Sequence, residues 1–302
     1  MSEHVQAVAP IHHAATVLLL RESDAGLQVL MTKRAAGLSF MAGLWVFPGG
    51  RMEPSDQSPE VTARVPAAAV AAAHDRMLGI DGRPLEREAA LALHVAACRE
   101  TFEEAGLLLA RPSGGNAECD EGQIARLGAR RAEAMDAAGF VRLLVEEDLV
   151  LDVGRLVYWS HWITPSQEKK RFDTRFFAIQ MPPGQEASVD RSELTQHAWL
   201  TEADVRTNMN SGEMKMAPPT IATLQDLWSS HARHGGIDAM LEAERRRLVP
   251  PILPKLIVDE GSFQTILPWD AEYARIPGES CAVWESYPEY LLALPSRRAF
   301  KR

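Results

Sequence analysis

The feature that most constrains the fold is a run of carboxylates, RETFEEAG, at residues 99 to 106. The Ala-rich residues before it predict a helix from about Glu86 to Ala105, and Gly106 is a typical C-cap residue. At about 100° per residue, one face of this helix is apolar and the opposite face gathers the acids. These acids are Glu100, Glu103 and Glu104. The fold must therefore present three carboxylates together from one helix.

Two of these carboxylates repel each other along the helix. Glu100 and Glu104 are like charges at i, i+4, and no Lys or Arg stands four residues after any of the three acids to offset the repulsion. A divalent cation would remove this cost, and carboxylate oxygens suit Mg²⁺ or Mn²⁺. Taken alone, such a helix face is more often solvated. Motifs elsewhere in the chain are needed to distinguish a metal site from a solvated helix face.

Apolar runs elsewhere predict a sheet. Ala14 to Leu20 and Leu27 to Thr32 have the aliphatic and β-branched content of strands, and Leu44 to Phe47 forms a third run that ends at Pro48-Gly49-Gly50. Further strands are predicted at Leu156 to Ile163, Arg175 to Gln180 and His197 to Leu200. Thr201 is placed to cap a short helix at Glu202 to Val205. Strands mixed with helices predict the α/β class.

From Gly50 onward the chain resembles the Nudix box, the signature of hydrolases acting on nucleoside diphosphates linked to another group. The box reads Gly, five residues, Glu, seven residues, then Arg-Glu-hydrophobic-x-Glu-Glu-x-Gly-hydrophobic. Gly50 matches its opening and Asp56 stands at the first Glu position, while residues 57 to 98 lie where seven are usual. The second half is matched by Arg99, Glu100, Glu103, Glu104, Gly106 and Leu107.

This resemblance implies a Nudix α/β/α sandwich with a mixed sheet over residues 1–205. Residues 57–96 would be a helical insertion within the box, and residues 206–302 a C-terminal extension packed on the Nudix domain. Extensions of this kind often serve dimer contacts, so we expect a homodimer.

The resemblance also implies roles for the carboxylates and their neighbours. Glu100, Glu103 and Glu104 would bind Mg²⁺ or Mn²⁺, Arg99 would orient them by salt bridge, and Asp56 and Gly106 would support the site. Glu193 lies in a loop before a strand, where many Nudix enzymes keep a further Glu as metal ligand or base. Both Glu100 and Glu193 are candidates for taking the proton of the attacking water.

A second motif covers residues 30 to 50, LMTKRAAGLSFMAGLWVFPGG, and resembles the coenzyme A signature of Nudix coenzyme A diphosphatases. Ser39 stands where that signature has its second Arg. The resemblance implies hydrolysis of coenzyme A or acyl-coenzyme A to 3′,5′-ADP and (acyl-)4′-phosphopantetheine. The substrate-binding residues would be Arg34, Ser39, Phe40, Gly49 and Gly50.

Two other functions compete with this one. Ser39 in place of Arg favours a Nudix pyrophosphatase for another nucleotide, such as ADP-ribose or a dinucleotide coenzyme, because Ser cannot grip a phosphate bidentately. The third candidate is a non-catalytic nucleotide-binding module on the same fold. The complete set of Arg99, Glu100, Glu103 and Glu104 argues against it.

Charge and composition restrict the partners. A formal net charge of -9 argues against a nucleic-acid-binding or anionic-lipid-binding surface, so the expected partner is a small-molecule nucleotide. The longest apolar run, Ala14 to Leu20, is too short to cross a membrane, and the residues before it lack the basic region of a signal peptide. We therefore expect a cytoplasmic protein. The local basic residues Lys169, Lys170, Arg171 and Arg175 offer phosphate contacts in this acidic chain.

Overall fold

The computed structural model of the protein describes residues 8–66, 71, 74–115, 118–188, 194–259, 262–281 and 287–301. The strands are β1 Ile11–Ser23, β2 Gly26–Arg34, β3 Trp45–Val46, β4 Gly49–Arg51, β5 Ala110–Pro112, β6 Leu149–Leu151, β7 Val157–Ile163, β8 Arg171–Gln180, β9 Leu194–Leu200, β10 Lys255–Asp259, β11 Ser262–Ile266 and β12 Arg297–Lys301. The α-helices are α1 Pro59–Thr62, α2 Arg87–Ala105, α3 Glu121–Ala129, α4 Ala137–Glu146, α5 Glu202–Ser211, α6 Pro218–His234, α7 Ile237–Glu244 and α8 Glu289–Leu292.

A mixed sheet of seven strands organises the described residues. Its main path is β3-β2-β1-β8-β7, with β4 paired to β1 and β9 paired to β2. Strand β1 runs parallel to β8 and antiparallel to β2 and β4. The mixed sheet of an α/β fold is thereby confirmed.

The sheet separates two apolar layers, and strand β1 contributes to both because its side chains alternate between faces. Val17 and Leu19 pack in the layer that contains Val95 of α2. Leu18 and Leu20 pack in the layer that contains residues of α6 and α7. Helices therefore cover both faces of the sheet, which confirms the α/β/α sandwich.

Residues beyond position 206 lie directly against the sheet. The Trp45 amide donates to the carbonyl of Lys215 at 2.9 Å, and the Ile163 amide donates to the carbonyl of Ile252 at 2.8 Å. Helix α5 runs across position 206 without interruption. The division into a domain 1–205 and an extension 206–302 stays a prediction.

The helix of the carboxylates matches its prediction closely. It runs from Arg87 to Ala105, and Gly106 ends it in the left-handed conformation with φ 68°. Strand β8 starts at Arg171, four residues earlier than predicted, and α5 extends beyond Val205 to Ser211. Within the predicted helical insertion of residues 57–96, positions 67–70, 72 and 73 lie outside the described residues. None of the helices in the described ranges is both long and apolar enough to cross a membrane.

Candidate active site

A buried guanidinium organises the carboxylates. Arg99, which is 3% exposed, donates from Nε and Nη2 to the two oxygens of Asp56 at 2.9 and 3.0 Å. Its Nη1 donates to Glu100 Oε1 at 2.8 Å and to Glu103 Oε2 at 2.9 Å. Burial works against the charge of Arg99, but the hydrogen bond to Asp56 and the three negative charges outweigh it and raise the pKa of the guanidinium. We call this arrangement of Arg99, Asp56, Glu100 and Glu103 the arginine clamp.

Asp56 lies behind Arg99 rather than in the open part of the site. Its side chain is fully buried, and Oδ2 accepts the amide of Glu53 at 2.8 Å in addition to Nη2 of Arg99. Asp56 is also absent from the cavity wall that the other acids line. Its carboxylate is therefore positioned to hold Arg99.

Two adjacent glycines of β4 allow close contacts that a side chain would disturb. A Cβ on Gly49 would lie 2.4 Å from the carbonyl oxygen of Ala15, and a Cβ on Gly50 would lie 2.4–2.5 Å from the carboxylate of Glu100. The Gly49 amide also donates to Glu104 Oε2 at 2.9 Å. The Pro-Gly-Gly turn thus brings bare backbone directly against two of the three glutamates.

Glu103 carries an oxygen that the described residues leave unsatisfied. Its Oε1 is buried and has no hydrogen-bond partner among them, although the residue as a whole is 9% exposed. Burial raises the pKa of Glu103 to about 7, although the nearby Arg99 charge acts to lower it. Burying a carboxylate oxygen without a hydrogen-bond partner costs free energy unless a cation lies next to it.

These acids offer the hard oxygen ligands that a divalent cation prefers. In the described ranges no group of three His, Cys, Asp or Glu side chains is already arranged as a metal cage. The reason is visible in the contacts, since Glu100 and Glu103 turn oxygens to Arg99 and Glu104 turns one to the Gly49 amide. The unsatisfied Oε1 of Glu103 fits a cation, and Glu100 and Glu104 would have to turn toward it.

Nearly all the predicted site residues line one cavity of about 1550 Å³. Its wall includes Arg34, Ser39, Phe40, Gly49, Gly50, Arg99, Glu100, Glu103 and Glu104. Gly106 lies outside the wall, where a Cβ would meet Ser188 Oγ at 2.6 Å. Glu193 lies outside the described residues. Residues that are far apart in sequence therefore converge on one cavity.

Two of the expected phosphate contacts were wrong. Arg171 and Arg175 are 1% and 0% exposed, and their guanidinium groups are used inside the protein. Arg171 donates to Glu279 at 2.6 Å, and Arg175 contacts Asp173 at 2.7 Å. Because β8 begins at Arg171, the odd-numbered residues at its start point away from the cavity, which even-numbered residues of the strand line.

Sequence reasoning missed several residues of the site. The carbonyl oxygen of Arg51 accepts Nη2 of Arg99 at 2.9 Å, and Arg131 Nη2 donates to the carbonyl oxygen of Glu103 at 2.5 Å, near the end of α2. Met214 and Met216, from the predicted extension, line the cavity. A backbone carbonyl carries no sequence signal, and single methionines give only a weak one.

Comparisons with known proteins identify the family of the chain. The family model described as NUDT19 Nudix domain matches residues 6–227. The acyl-coenzyme A diphosphatase NUDT19 of Gallus gallus is 29% identical over 290 residues, which cover 83% of this chain and 74% of that protein. The protein of the same name from Homo sapiens is 27% identical over 219 residues, which cover 64% of this chain and 58% of that protein.

A solved structure supports the fold. The NUDIX hydrolase from Alicyclobacillus acidocaldarius is 29% identical and matches with a TM-score of 0.58, covering 74% of this chain and 93% of that one. The family model alone spans more than half of the present chain. The chain therefore belongs to the Nudix hydrolases, in the family of the NUDT19 Nudix domain.

Proposed function

We propose that this protein hydrolyses the pyrophosphate bond of coenzyme A or acyl-coenzyme A with the help of Mg²⁺ or Mn²⁺. The products would be 3′,5′-ADP and (acyl-)4′-phosphopantetheine. The names of the animal relatives support this substrate, and Nudix hydrolases generally use divalent metal ions. The observation that carries the proposal is the arginine clamp, which holds Glu100 and Glu103 in the wall of a large cavity beside the glycines of β4.

Three carboxylates would hold the cation: Glu100, Glu103 and Glu104. When bound there, a divalent cation neutralises charge on the pyrophosphate oxygens and lowers the pKa of a water molecule. Glu103 would contribute Oε1, the oxygen for which the described part of the chain supplies no hydrogen-bond partner. Arg99 keeps the acids oriented from behind through its contacts to Asp56 and to the carbonyl oxygen of Arg51.

The glycines and the net charge shape how substrate is bound. A chain of net charge -9 repels a polyanion, so cations must offset this repulsion at the site. Gly49 and Gly50 line the cavity, and without side chains they let β4 pack directly against β1 and against the Glu100 carboxylate, which keeps Glu100 beside the substrate cavity. Glu100, in the cavity wall, and Glu193, outside the described residues, are both proposed as acceptors of the proton from the attacking water.

A substrate panel tests this proposal. The protein is incubated with Mg²⁺ or Mn²⁺ and with coenzyme A, acyl-coenzyme A, ADP-ribose or a dinucleotide coenzyme, and products are separated by chromatography. Release of 3′,5′-ADP from coenzyme A or its acyl forms is the expected result. Preferred hydrolysis of ADP-ribose or a dinucleotide would favour the alternative that Ser39 suggests. No hydrolysis of any compound would contradict the proposed activity.

We also propose a cytoplasmic location and a homodimer. Light scattering of the purified chain tests the second statement, and a mass of twice 33.3 kDa is expected. Fluorescence microscopy of the tagged protein in its own cells tests the first, and label confined to a membrane-bounded compartment would contradict it.

A further inference from the structure

One basic residue of the predicted patch contacts the cavity wall from its exposed edge. The side chains of Phe172, Thr174 and Phe176 on β8 line the cavity, and residues two apart on a strand share a face. Lys170, directly before β8, continues this even-numbered series. It is exposed, and its Nζ donates to Ser39 Oγ, in the cavity wall, at 2.6 Å.

The surroundings of Lys170 form a small basic rim. The Phe40 ring packs on the Phe172 ring with centroids 5.1 Å apart, which holds the loop of Ser39 against the start of β8. Arg34 lines the same cavity and donates from Nε to the carbonyl oxygen of Phe40 at 3.3 Å. Two cationic side chains therefore flank Phe40 in a chain of net negative charge. We call Arg34, Ser39, Phe40 and Lys170 the basic rim.

The basic rim is separate from the carboxylates. On β1, Ile11 pairs with Arg171 of β8, and Ala15 pairs with Gly50 of β4. Four residues at roughly 3.3 Å each place these two rows about 13 Å apart. This separation is longer than one pyrophosphate group, so we assign an anion at the basic rim to a different group of the same ligand.

We propose that Lys170 binds a phosphate on the 3′-oxygen of the substrate ribose. The ammonium has three donors, and among the described residues Ser39 uses one of them, which leaves two for phosphate oxygens. Lys170, directly before β8, supplies positive charge next to Ser39. This inference rests on the proposed function, in which the substrate is a nucleotide with a 3′-phosphate. Lys170 is then the residue that distinguishes nucleotides with a 3′-phosphate from nucleotides without one.

Binding of product-like nucleotides tests the assignment without turnover. Calorimetry measures the Kd of 3′,5′-ADP, 2′,5′-ADP and 5′-AMP for the wild type and for Lys170→Met, Lys170→Arg and Lys169→Met. We expect the wild type to bind 3′,5′-ADP about tenfold more tightly than 5′-AMP, as fits one partly exposed charge-assisted contact. Lys170→Met should reduce this preference to about twofold or less, whereas Lys170→Arg and the control Lys169→Met should keep it.

Three outcomes would overturn the inference. In the first, Lys170→Met still binds 3′,5′-ADP about tenfold more tightly than 5′-AMP. In the second, this variant weakens the binding of 3′,5′-ADP and of 5′-AMP by the same factor. In the third, 2′,5′-ADP is the ligand whose affinity depends on Lys170. A failure of the proposed function looks different. In that case the wild type releases no 3′,5′-ADP from coenzyme A, while the ratio of the Kd values still decides the role of Lys170.

Discussion

Replacing Asp56 by Asn tests the arginine clamp where it is most buried. Asp56 accepts two hydrogen bonds from Arg99 and one from the Glu53 amide, and its side chain is fully buried. An Asn amide has nearly the same shape, but its NH₂ group would face N–H donors, and the negative charge opposite Arg99 is lost. The variant therefore keeps the volume and removes the ion pair.

The size of the effect follows from what remains around Arg99. Removing one partner of a buried ion pair costs about 3–5 kcal/mol. Glu100 and Glu103 still contact the guanidinium, at 2.8 and 2.9 Å, so the charge of Arg99 keeps part of its compensation. We expect Asp56→Asn to lower the free energy of unfolding by about 3 kcal/mol, at the lower end of this range.

Urea-induced unfolding followed by circular dichroism measures this loss. Glu53→Gln is the matched control, because Glu53 pairs with Arg51 on the surface and should change stability by less than about 0.5 kcal/mol. In a double-mutant cycle, Asp56→Asn and Arg99→Met should be coupled by about 2 kcal/mol or more, since each removes the same pair. Additive effects, or an Asp56→Asn variant as stable as the control, would refute the clamp.

Three other substitutions have defined outcomes. Gly50→Ala should leave the urea midpoint nearly unchanged, because the flexible Glu100 side chain can move away from the added methyl group. The displaced Glu100 should lower kcat by on the order of a hundredfold. An unchanged kcat would contradict this expectation. Burial lowers the pKa of His94 to about 4. Below about pH 6.5 the unfolded chain therefore binds a proton at His94, whereas the folded protein leaves this side chain neutral until about pH 4. Stability therefore falls by about 3 kcal/mol between pH 7 and pH 4 through this residue, and thermal unfolding should show a smaller decline for His94→Phe than for wild type. Arg247 donates to Asp226 at 2.7 Å and lies over the Tyr290 ring, so Arg247→Met should cost about 3 kcal/mol in urea unfolding, and a loss below 1 kcal/mol would show that this buried pair contributes little.

The elements that bear the site were predictable because each has a local cause. The Ala-rich helix with its Gly106 cap and the Pro-Gly-Gly turn after an apolar strand depend on nearby residues alone. The resemblance of the two motifs then supplied what local patterns could not, namely that the turn and the helix meet. Predicted strand ends were less accurate, and the late start given to β8 hid the true orientation of Arg171 and Arg175.

Contacts between residues that are far apart in the sequence could not be predicted from local patterns. Helical periodicity puts Glu100, Glu103 and Glu104 on one face, but it cannot show that this face turns inward and that Arg99 is buried beneath it. The contact between Lys170 and Ser39 joins residues 131 positions apart, and neither residue carries a signal for the other. Burial and pairing of this kind arise only when the sheet is assembled.

Release of 3′,5′-ADP from coenzyme A by the wild type, Glu103→Gln and Glu88→Gln, with Mg²⁺ or Mn²⁺ present, tests the central claim most directly. Glu88 lies exposed on the same helix as Glu103, so its variant controls for the loss of one negative charge from α2. The wild type and Glu88→Gln should release the product at similar rates, and Glu103→Gln should be slower by a factor on the order of 10²–10³, with the circular dichroism of a folded protein. A Glu103→Gln variant as fast as wild type, or a wild type that yields no product with either metal, would contradict the account.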